Sequence, residues 1–128
     1  MIVQYTSAAL ASENKGLCFP ASADSIPTSL GQEDHVSMGS ISGRKALQVI
    51  ENVEKILGIE LFCAAQAIDY HHPLKPGKIL AAVHAFVRTE IDHFEEDQMM
   101  YDRMENAIQM VQQGKIVAIA TEAESTLD

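Results

Sequence analysis

The stretch SGRKALQVIENVEKILGIELFCAAQAID, residues 42 to 69, decides the fold class of this chain. Its apolar residues recur every three or four positions, which is the spacing of one face of an α-helix. The positions are Ala46, Ile50, Val53, Leu57, Leu61, Ala64 and Ile68. Glu51 and Lys55 lie four residues apart and suit an ion pair on the outer face of such a helix. The pattern predicts one long helix over residues 38–69.

The second half of this predicted helix has almost no polar face, because apolar residues occupy nearly every position from Ile56 to Ile68. A helix that is apolar all round has to be covered all round. A chain of 128 residues offers few other helices for that purpose. We therefore expect self-association through the long helix, as a dimer or tetramer, or cover from a part of the protein outside these residues.

Helical spacing elsewhere predicts three shorter helices. They span residues 1–15, with Gly16 as the stop, residues 76–92, and residues 96–113, with Gly114 as the stop. The apolar run KIVAIA, residues 115–120, fits either a strand-like extension or a last helical turn, and residues 121–128 are expected to be a frayed tail. The predicted fold class is all-α, with residues 1–128 as one segment whose long central helix and shorter helices pack into a multi-subunit bundle.

Composition and charge narrow the possible partners and the location. Hydrophobic residues make up 47% of the chain and aromatic ones only 5%, which favours packed helices. A formal net charge of −9 argues against nucleic acid or an anionic membrane as a partner. No apolar run approaches the roughly 20 residues that span a bilayer. The two cysteines, Cys18 and Cys63, are far apart and are expected to be free thiols in the cytoplasm.

A long loop, residues 17–36, precedes the long helix. Pro20, Pro27 and Gly31 punctuate it, and loops of this length in compact domains are often functional. We expect the loop to be ordered, with its apolar residues as anchors. These residues are Leu17, Phe19, Ile26 and Leu30.

The loop ends in the densest polar cluster of the chain, QEDH at residues 32–35. One interpretation is helix capping, in which Asp34 or Ser37 offers a side-chain oxygen to the first free amides of the helix. Glu33 is not needed for a cap. The other interpretation is that Glu33 is a carboxylate poised near the positive end of the helix dipole to meet a cationic or imidazole group. Composition alone leaves both interpretations open.

Metal and phosphate sites find little support in the sequence. The chain has five histidines, but no pair has HxxxH spacing and neither cysteine lies near a histidine. The phosphate-binding pattern GxxxxGK is absent, and strands that alternate with helices are not evident. We therefore predict no metal ligands.

Several ordered motifs give the chain a specific resemblance. They are QYTSAALASENK at 4–15, PASADSIPTS at 20–29, QEDHVSMG at 32–39 and RKALQVIENVEKILGIEL at 44–61, with weaker similarity over the last 50 residues. With these motifs the chain closely resembles the C-terminal region of the histidine-specific members of the aromatic amino-acid lyase family. The resemblance implies an enzyme that eliminates ammonia from L-histidine to give urocanate.

The resemblance also implies a cofactor that this sequence cannot form. Members of the family cyclise an Ala-Ser-Gly tripeptide into the electrophile 4-methylideneimidazol-5-one, and no Ala-Ser-Gly occurs in these 128 residues. The sequence is therefore expected to be a C-terminal fragment that is inactive alone and needs the missing N-terminal part as a partner. An alternative is a non-catalytic helical module that oligomerises or binds a partner chain.

Site residues follow from the resemblance position by position. The acid that matches Glu33 is placed near the substrate's amino or imidazole group, so Glu33 is the expected catalytic residue. Gln32 and Met1 are the expected substrate-binding residues. The phenylalanine and tyrosine lyases have Asn-Gln-Asp where this chain has Gln32, Glu33 and Asp34, so Glu33 favours histidine as substrate. A lyase that acts on another aromatic amino acid remains the alternative.

Overall fold

The structure, a computed structural model, describes residues 2–23, 25–33 and 35–126. These residues form α-helices and loops and contain no β-strand. The helices are α1 (Ile2–Leu17), α2 (Gly39–Asp69), α3 (Lys78–Glu90), α4 (Tyr101–Gln112) and α5 (Lys115–Ser125), with short 3₁₀ turns at Ala21–Ala23 and Ser29–Gly31. The predicted all-α class and the long helix after an extended loop are both confirmed.

Three predictions in the C-terminal third were wrong in whole or in part. α4 begins at Tyr101 rather than near residue 96. The first helical hydrogen bond of α4 runs from the Met104 amide to the Met100 carbonyl at 2.9 Å. The run at 115–120 is neither strand nor last turn, because Gly114 adopts a left-handed conformation, with φ +67°, and starts the new helix α5. α5 continues to Ser125, so the expected frayed tail does not hold for residues 121–125.

The contacts divide the chain into two compact units, Met1–Val53 and Glu54–Asp128, and α2 contributes residues to both. In the first unit, α1 and α2 are joined by polar contacts. The buried Asn52 donates from Nδ2 to Glu13 Oε2 at 2.8 Å and to Asn14 Oδ1 at 2.9 Å. No described apolar side chain of this unit is fully buried. Among its described residues, the unit therefore has no fully buried hydrophobic core of its own.

The second unit has a small hydrophobic core in which α2, α3 and α4 meet. Its buried apolar side chains are Ile59, Phe62, Ala65, Val87, Ile91, Ala107 and Met110. α5 packs against α3 and α4. Gly58 lets α2 approach α4 closely, because a Cβ at this position would lie 2.5 Å from the Ile108 Cα atom.

The apolar face that the sequence pattern singled out on α2 is not the face that packs inside this chain. Ile50, Val53 and Leu57 keep 55%, 41% and 45% of their surface exposed. The buried residues of α2, such as Ile59 and Phe62, lie on a different side of the helix. α2 thus has two apolar faces, and the chain covers one of them.

The close approach at Gly58 gives a test of the packing in the second unit. We expect Gly58→Ala to lower the free energy of unfolding by about 1–3 kcal/mol, the usual cost of forcing an extra methyl group into a packed contact. Two of the three nearest atoms belong to the Ile108 backbone and cannot move aside easily. Urea denaturation followed by circular dichroism measures the change.

Gly43→Ala is the matched control. Gly43 also lies in α2, but a Cβ there would meet nothing within 4 Å. Alanine is the better helix former, so this substitution should be neutral or should stabilise by about 0.5–1 kcal/mol. Equal stabilities of the two variants would contradict the Gly58–Ile108 contact.

Candidate functional site

Residues 28–33, called here the 28–33 turn, form a closed loop ahead of α2. The Thr28 amide donates to the Glu33 carbonyl at 2.9 Å, and the Glu33 amide donates to the Thr28 carbonyl at 3.3 Å. The two residues therefore form an isolated antiparallel bridge. Inside the turn, the Gly31 amide donates to the Thr28 carbonyl at 3.1 Å. These main-chain bonds fix where Glu33 leaves the turn.

The backbone of the 28–33 turn is strained. Ser29, Leu30 and Gly31 all have positive φ values, of 53°, 57° and 87°. Only glycine adopts this region at no steric cost, so Ser29 and Leu30 each cost on the order of 1–3 kcal/mol. The Leu30 side chain is fully exposed, so burial within this chain does not offset the strain. Backbone strain of this kind is concentrated at ligand-binding and active-site loops.

Polar contacts hold the rest of the loop. The Val36 amide donates to Ser25 Oγ at 3.0 Å, and the Lys45 ammonium group donates to the Phe19 carbonyl. The predicted apolar anchors were largely wrong, because the side chains of Phe19, Ile26 and Leu30 are exposed. The fourth predicted anchor, Leu17, is half-buried.

The capping role can be assigned to Ser37, which follows Glu33 by four residues. Ser37 Oγ accepts a hydrogen bond from the Gly39 amide at 3.4 Å, which agrees with the capping role suggested for Ser37. Asp34, the other predicted cap, lies outside the described residues. The Glu33 carboxylate itself makes no hydrogen bond or ion pair with any residue that the structure describes, and its side chain is exposed.

The predicted site residues thus have different outcomes. Glu33 and Gln32 are neighbours at the end of the 28–33 turn, and both are exposed. Met1, the second predicted substrate-binding residue, lies outside the described residues. An exposed carboxylate on a closed turn can pair with a protonated amine or imidazole, or exchange a proton with it. The catalytic and binding roles of these residues stay predictions.

A second polar cluster lies in the unit formed by residues 54–128, and the sequence analysis missed it. It is called here the Asp69 cluster and consists of Asp69, His84, Arg88 and His93. Asp69 Oδ1 lies 2.8 Å from His84 Nε2, and Oδ2 lies 2.6 Å from the Arg88 guanidinium and 2.8 Å from His93 Nδ1. The one local signal was the four-residue spacing of His84 and Arg88, which puts them on one face of α3.

The charge of Asp69 is stabilised by its partners. Burial raises the pKa of this carboxyl group, but the hydrogen bond from His93, the charge and hydrogen bond of Arg88 and the charge of His84 outweigh it. The pKa of Asp69 is therefore held below its usual value of 3.8.

The Asp69 cluster also holds the segment that follows α3. Arg88 donates to the Ile91 carbonyl at 2.8 Å, and Gln66 Nε2 donates to the Phe94 carbonyl at 2.6 Å. The Phe94 ring stacks on Phe62 with the ring centroids 5.7 Å apart. The cluster therefore joins α2, α3 and the segment after α3 within the second unit.

Neither cluster resembles a metal centre. Within the described ranges, no group of three or more histidine, cysteine, aspartate or glutamate side chains is arranged to hold a metal ion. The two imidazoles of the Asp69 cluster lie at ion-pair distance from the carboxylate. Among the helices that the structure describes, none is long and apolar enough to cross a membrane.

Comparison with known proteins defines the class to which this helical chain belongs. The sequence model of the family "aromatic amino acid lyase" matches residues 1–89. The chain belongs to this family.

The most similar relatives point to one group within the family. The chain is 51% identical to the histidine ammonia-lyase of Sorangium cellulosum over 128 residues, which are all of this chain and 25% of the relative. It is 48% identical to the histidine ammonia-lyase of Natranaerobius thermophilus over 127 residues, 99% of this chain and 24% of the relative. The chain thus spans about a quarter of the length of these curated relatives.

Solved structures agree with this assignment. The crystal structure of histidine ammonia-lyase from Trypanosoma cruzi superposes with a TM-score of 0.91 at 45% identity, over 96% of this chain and 24% of that one. Tyrosine aminomutase from Streptomyces globisporus superposes with a TM-score of 0.88 at 32% identity, over 94% of this chain and 23% of that one. The chain is therefore similar in structure to about a quarter of each of these two enzymes.

The lowered pKa of Asp69 predicts how stability depends on pH. A carboxyl group whose pKa is lowered in the folded state stabilises the fold at pH values above its unfolded-state pKa, which is near 4. This stabilisation is lost as the pH falls through the lower pKa of the folded state. We expect Asp69→Asn to lower the melting temperature at pH 7 and to flatten the fall in stability between about pH 4 and pH 2. Asp92→Asn, which neutralises an exposed aspartate, is the control. Identical pH profiles of the two variants in thermal unfolding would contradict the ionic role of Asp69.

Proposed function

We propose that this chain works as part of an ammonia-lyase that eliminates ammonia from L-histidine to give urocanate, and that Glu33 is its contribution to a composite active site. The observation that carries the proposal is the Glu33 carboxylate, which is exposed and makes no polar contact with the described residues, at the end of a strained and closed turn. The identities of 43–52% to several histidine ammonia-lyases support histidine as the substrate.

Glu33 suits the elimination chemically. The reaction breaks the bond between Cα and the amino nitrogen and removes a proton from Cβ. A carboxylate at this point can pair with the protonated amino or imidazole group of the substrate, or accept a proton from it. The neighbouring amide of Gln32 can donate a hydrogen bond to the substrate. The role of Met1 in binding stays a prediction.

The electrophile has to come from elsewhere. 4-Methylideneimidazol-5-one, formed from Ala-Ser-Gly, supplies the electrophilic chemistry in this family. The 128 residues of this chain cannot form this electrophile, because the sequence has no Ala-Ser-Gly. Its one Ser-Gly pair, residues 42–43, lies inside α2. We propose that residues outside these 128 provide it and that the chain is inactive alone. A cytoplasmic location also stays a prediction.

The charge of Glu33 favours histidine over an uncharged aromatic substrate. An imidazole can carry a proton and pair with a carboxylate, whereas the rings of phenylalanine and tyrosine cannot. The match to a tyrosine aminomutase structure keeps another aromatic amino acid as the second candidate. Comparing the rate of elimination from histidine with that from tyrosine distinguishes the two candidate substrates.

The test of Glu33 needs a complete lyase. We would build a chimera in which these 128 residues replace the matching quarter of the Sorangium cellulosum histidine ammonia-lyase, with which they share 51% identity. In this chimera Glu33→Gln should lower kcat by about 10²–10⁴-fold, because it removes the charge and the proton acceptor. Urocanate formation is followed by its ultraviolet absorbance.

Glu51→Gln is the matched control for the Glu33 test. It makes the same chemical change at an exposed position of α2 and should leave kcat within about twofold. Melting temperatures of both variants show whether the fold is intact. If Glu33→Gln retains kcat within about threefold of the unmodified chimera, Glu33 has no catalytic role.

We also propose that a second copy of the chain covers the exposed face of α2. An apolar groove of about 380 Å³ lies on this face, between α2 and the junction of α4 and α5. Its lining residues are Leu57, Glu60, Leu61, Ala64, Val111, Gly114, Ile116 and Val117. Leaving such a surface in water is unfavourable, because burying a leucine or isoleucine stabilises by about 1.5–3 kcal/mol.

Self-association can be tested on the 128-residue chain itself. Light scattering at micromolar concentration should show a dimer or tetramer, and Leu61→Glu should dissociate or unfold it by placing a charge in the contact. Gln109→Glu adds the same charge at an exposed position of α4 and should leave the assembly intact. A folded monomer, with Leu61→Glu equally stable, would contradict the proposal.

A further inference from the structure

We infer that the strained backbone of the 28–33 turn positions Glu33, so that Gly31 is a positioning residue for the lyase reaction. The inference rests on the proposed function, since it assigns a purpose to the turn only if Glu33 acts on a substrate. It concerns main-chain geometry and is independent of the identity of the substrate.

The path of the chain explains the positioning. Thr28 and Glu33 exchange both of their main-chain hydrogen bonds, at 2.9 and 3.3 Å. Only four residues separate them, so the backbone has to reverse direction within that length. Positive φ values at Ser29, Leu30 and Gly31 make this reversal. An ordinary negative φ at Gly31 would carry Glu33 away from Thr28 and open the bridge.

Packing does not explain why the strain persists. Leu30 is fully exposed, and a Cβ added at Gly31 would meet nothing within 4 Å. A turn that served only to bury its side chains would place Leu30 inside the first unit. The conformation instead fixes the main chain of a residue whose carboxylate is exposed, and backbone strain is often found at functional sites.

Substitutions at Gly31 test the inference well, because their steric effect can be separated from their conformational effect. Gly31→Ala introduces no steric contact, so its effect comes from the cost of a positive φ. Gly31→Asn is the conservative variant, because asparagine tolerates the left-handed region far better than alanine. Gly114→Ala is the matched control: its φ is +67°, a Cβ there also meets nothing within 4 Å, and it lies at the start of α5.

The first measurement uses the 128-residue chain. Amide hydrogen exchange of Thr28 and Glu33 reports the bridge directly, because both amides donate across it. Gly31→Ala should accelerate exchange at these two amides by about tenfold or more, while Gly31→Asn and Gly114→Ala should leave it within about threefold. Unchanged exchange in Gly31→Ala would show that the turn does not depend on Gly31 and would overturn the inference.

The second measurement uses the chimera. Gly31→Ala should lower kcat by about 10- to 100-fold, the cost of misplacing a reacting group by about 1 Å, and Gly31→Asn should restore most of it. Gly43→Ala makes the same chemical change at a position of α2 where an added Cβ meets nothing within 4 Å, and it should leave kcat within about twofold. Because the turn acts through Glu33, Gly31→Ala combined with Glu33→Gln should be no slower than Glu33→Gln alone.

The outcomes separate the two proposals. If Glu33→Gln loses activity and Gly31→Ala does not, the positioning role is wrong and the proposed function stands. The positioning role is also wrong if the two substitutions multiply their losses, or if Gly31→Asn is as slow as Gly31→Ala. If Glu33→Gln and Glu51→Gln are equally active, the proposed function fails, and the positioning role fails with it.

Discussion

α2 carries more apolar surface than this chain covers, and much of the structure follows from that constraint. One face of the helix packs Ile59, Phe62 and Ala65 into the second unit, while Leu57 and Val53 on another face keep 45% and 41% of their surface exposed. Polar contacts, such as those of Asn52, join α1 to α2. Such a chain gains stability when another surface covers α2, which agrees with the proposal that a second copy of the chain covers this face.

The 28–33 turn and the Asp69 cluster show two uses of charged residues in one small protein. Asp69 is surrounded by Arg88 and two histidines, and these contacts join α2 to the segment after α3. Glu33 has no such partners among the described residues, although its main chain is fixed by the bridge to Thr28. A carboxylate with satisfied partners stabilises a fold, whereas a carboxylate without them, on a residue whose main chain is fixed, is available to a ligand.

Helical periodicity predicted the all-α class and the limits of α2 well, because a 31-residue helix repeats its signal many times. It did not reveal which face of α2 packs internally, since both faces are apolar. It also missed α5, because six apolar residues fit a strand or a helix equally and the left-handed Gly114 decided between them. The Asp69 cluster joins residues 15 to 24 positions apart, and local patterns do not reveal such contacts. The role of Glu33 was predicted from motif resemblance, but the positive φ values before it were not predictable from Ser29 and Leu30.

The central claim is that these residues complete an active site that they cannot form alone. The most direct measurement compares urocanate formation from L-histidine by the purified 128-residue chain with that by the chimera carrying the rest of the Sorangium cellulosum lyase. We expect turnover by the chimera and none above background by the chain. Turnover by the chain alone, or a folded and assembled chimera without activity, would contradict the claim.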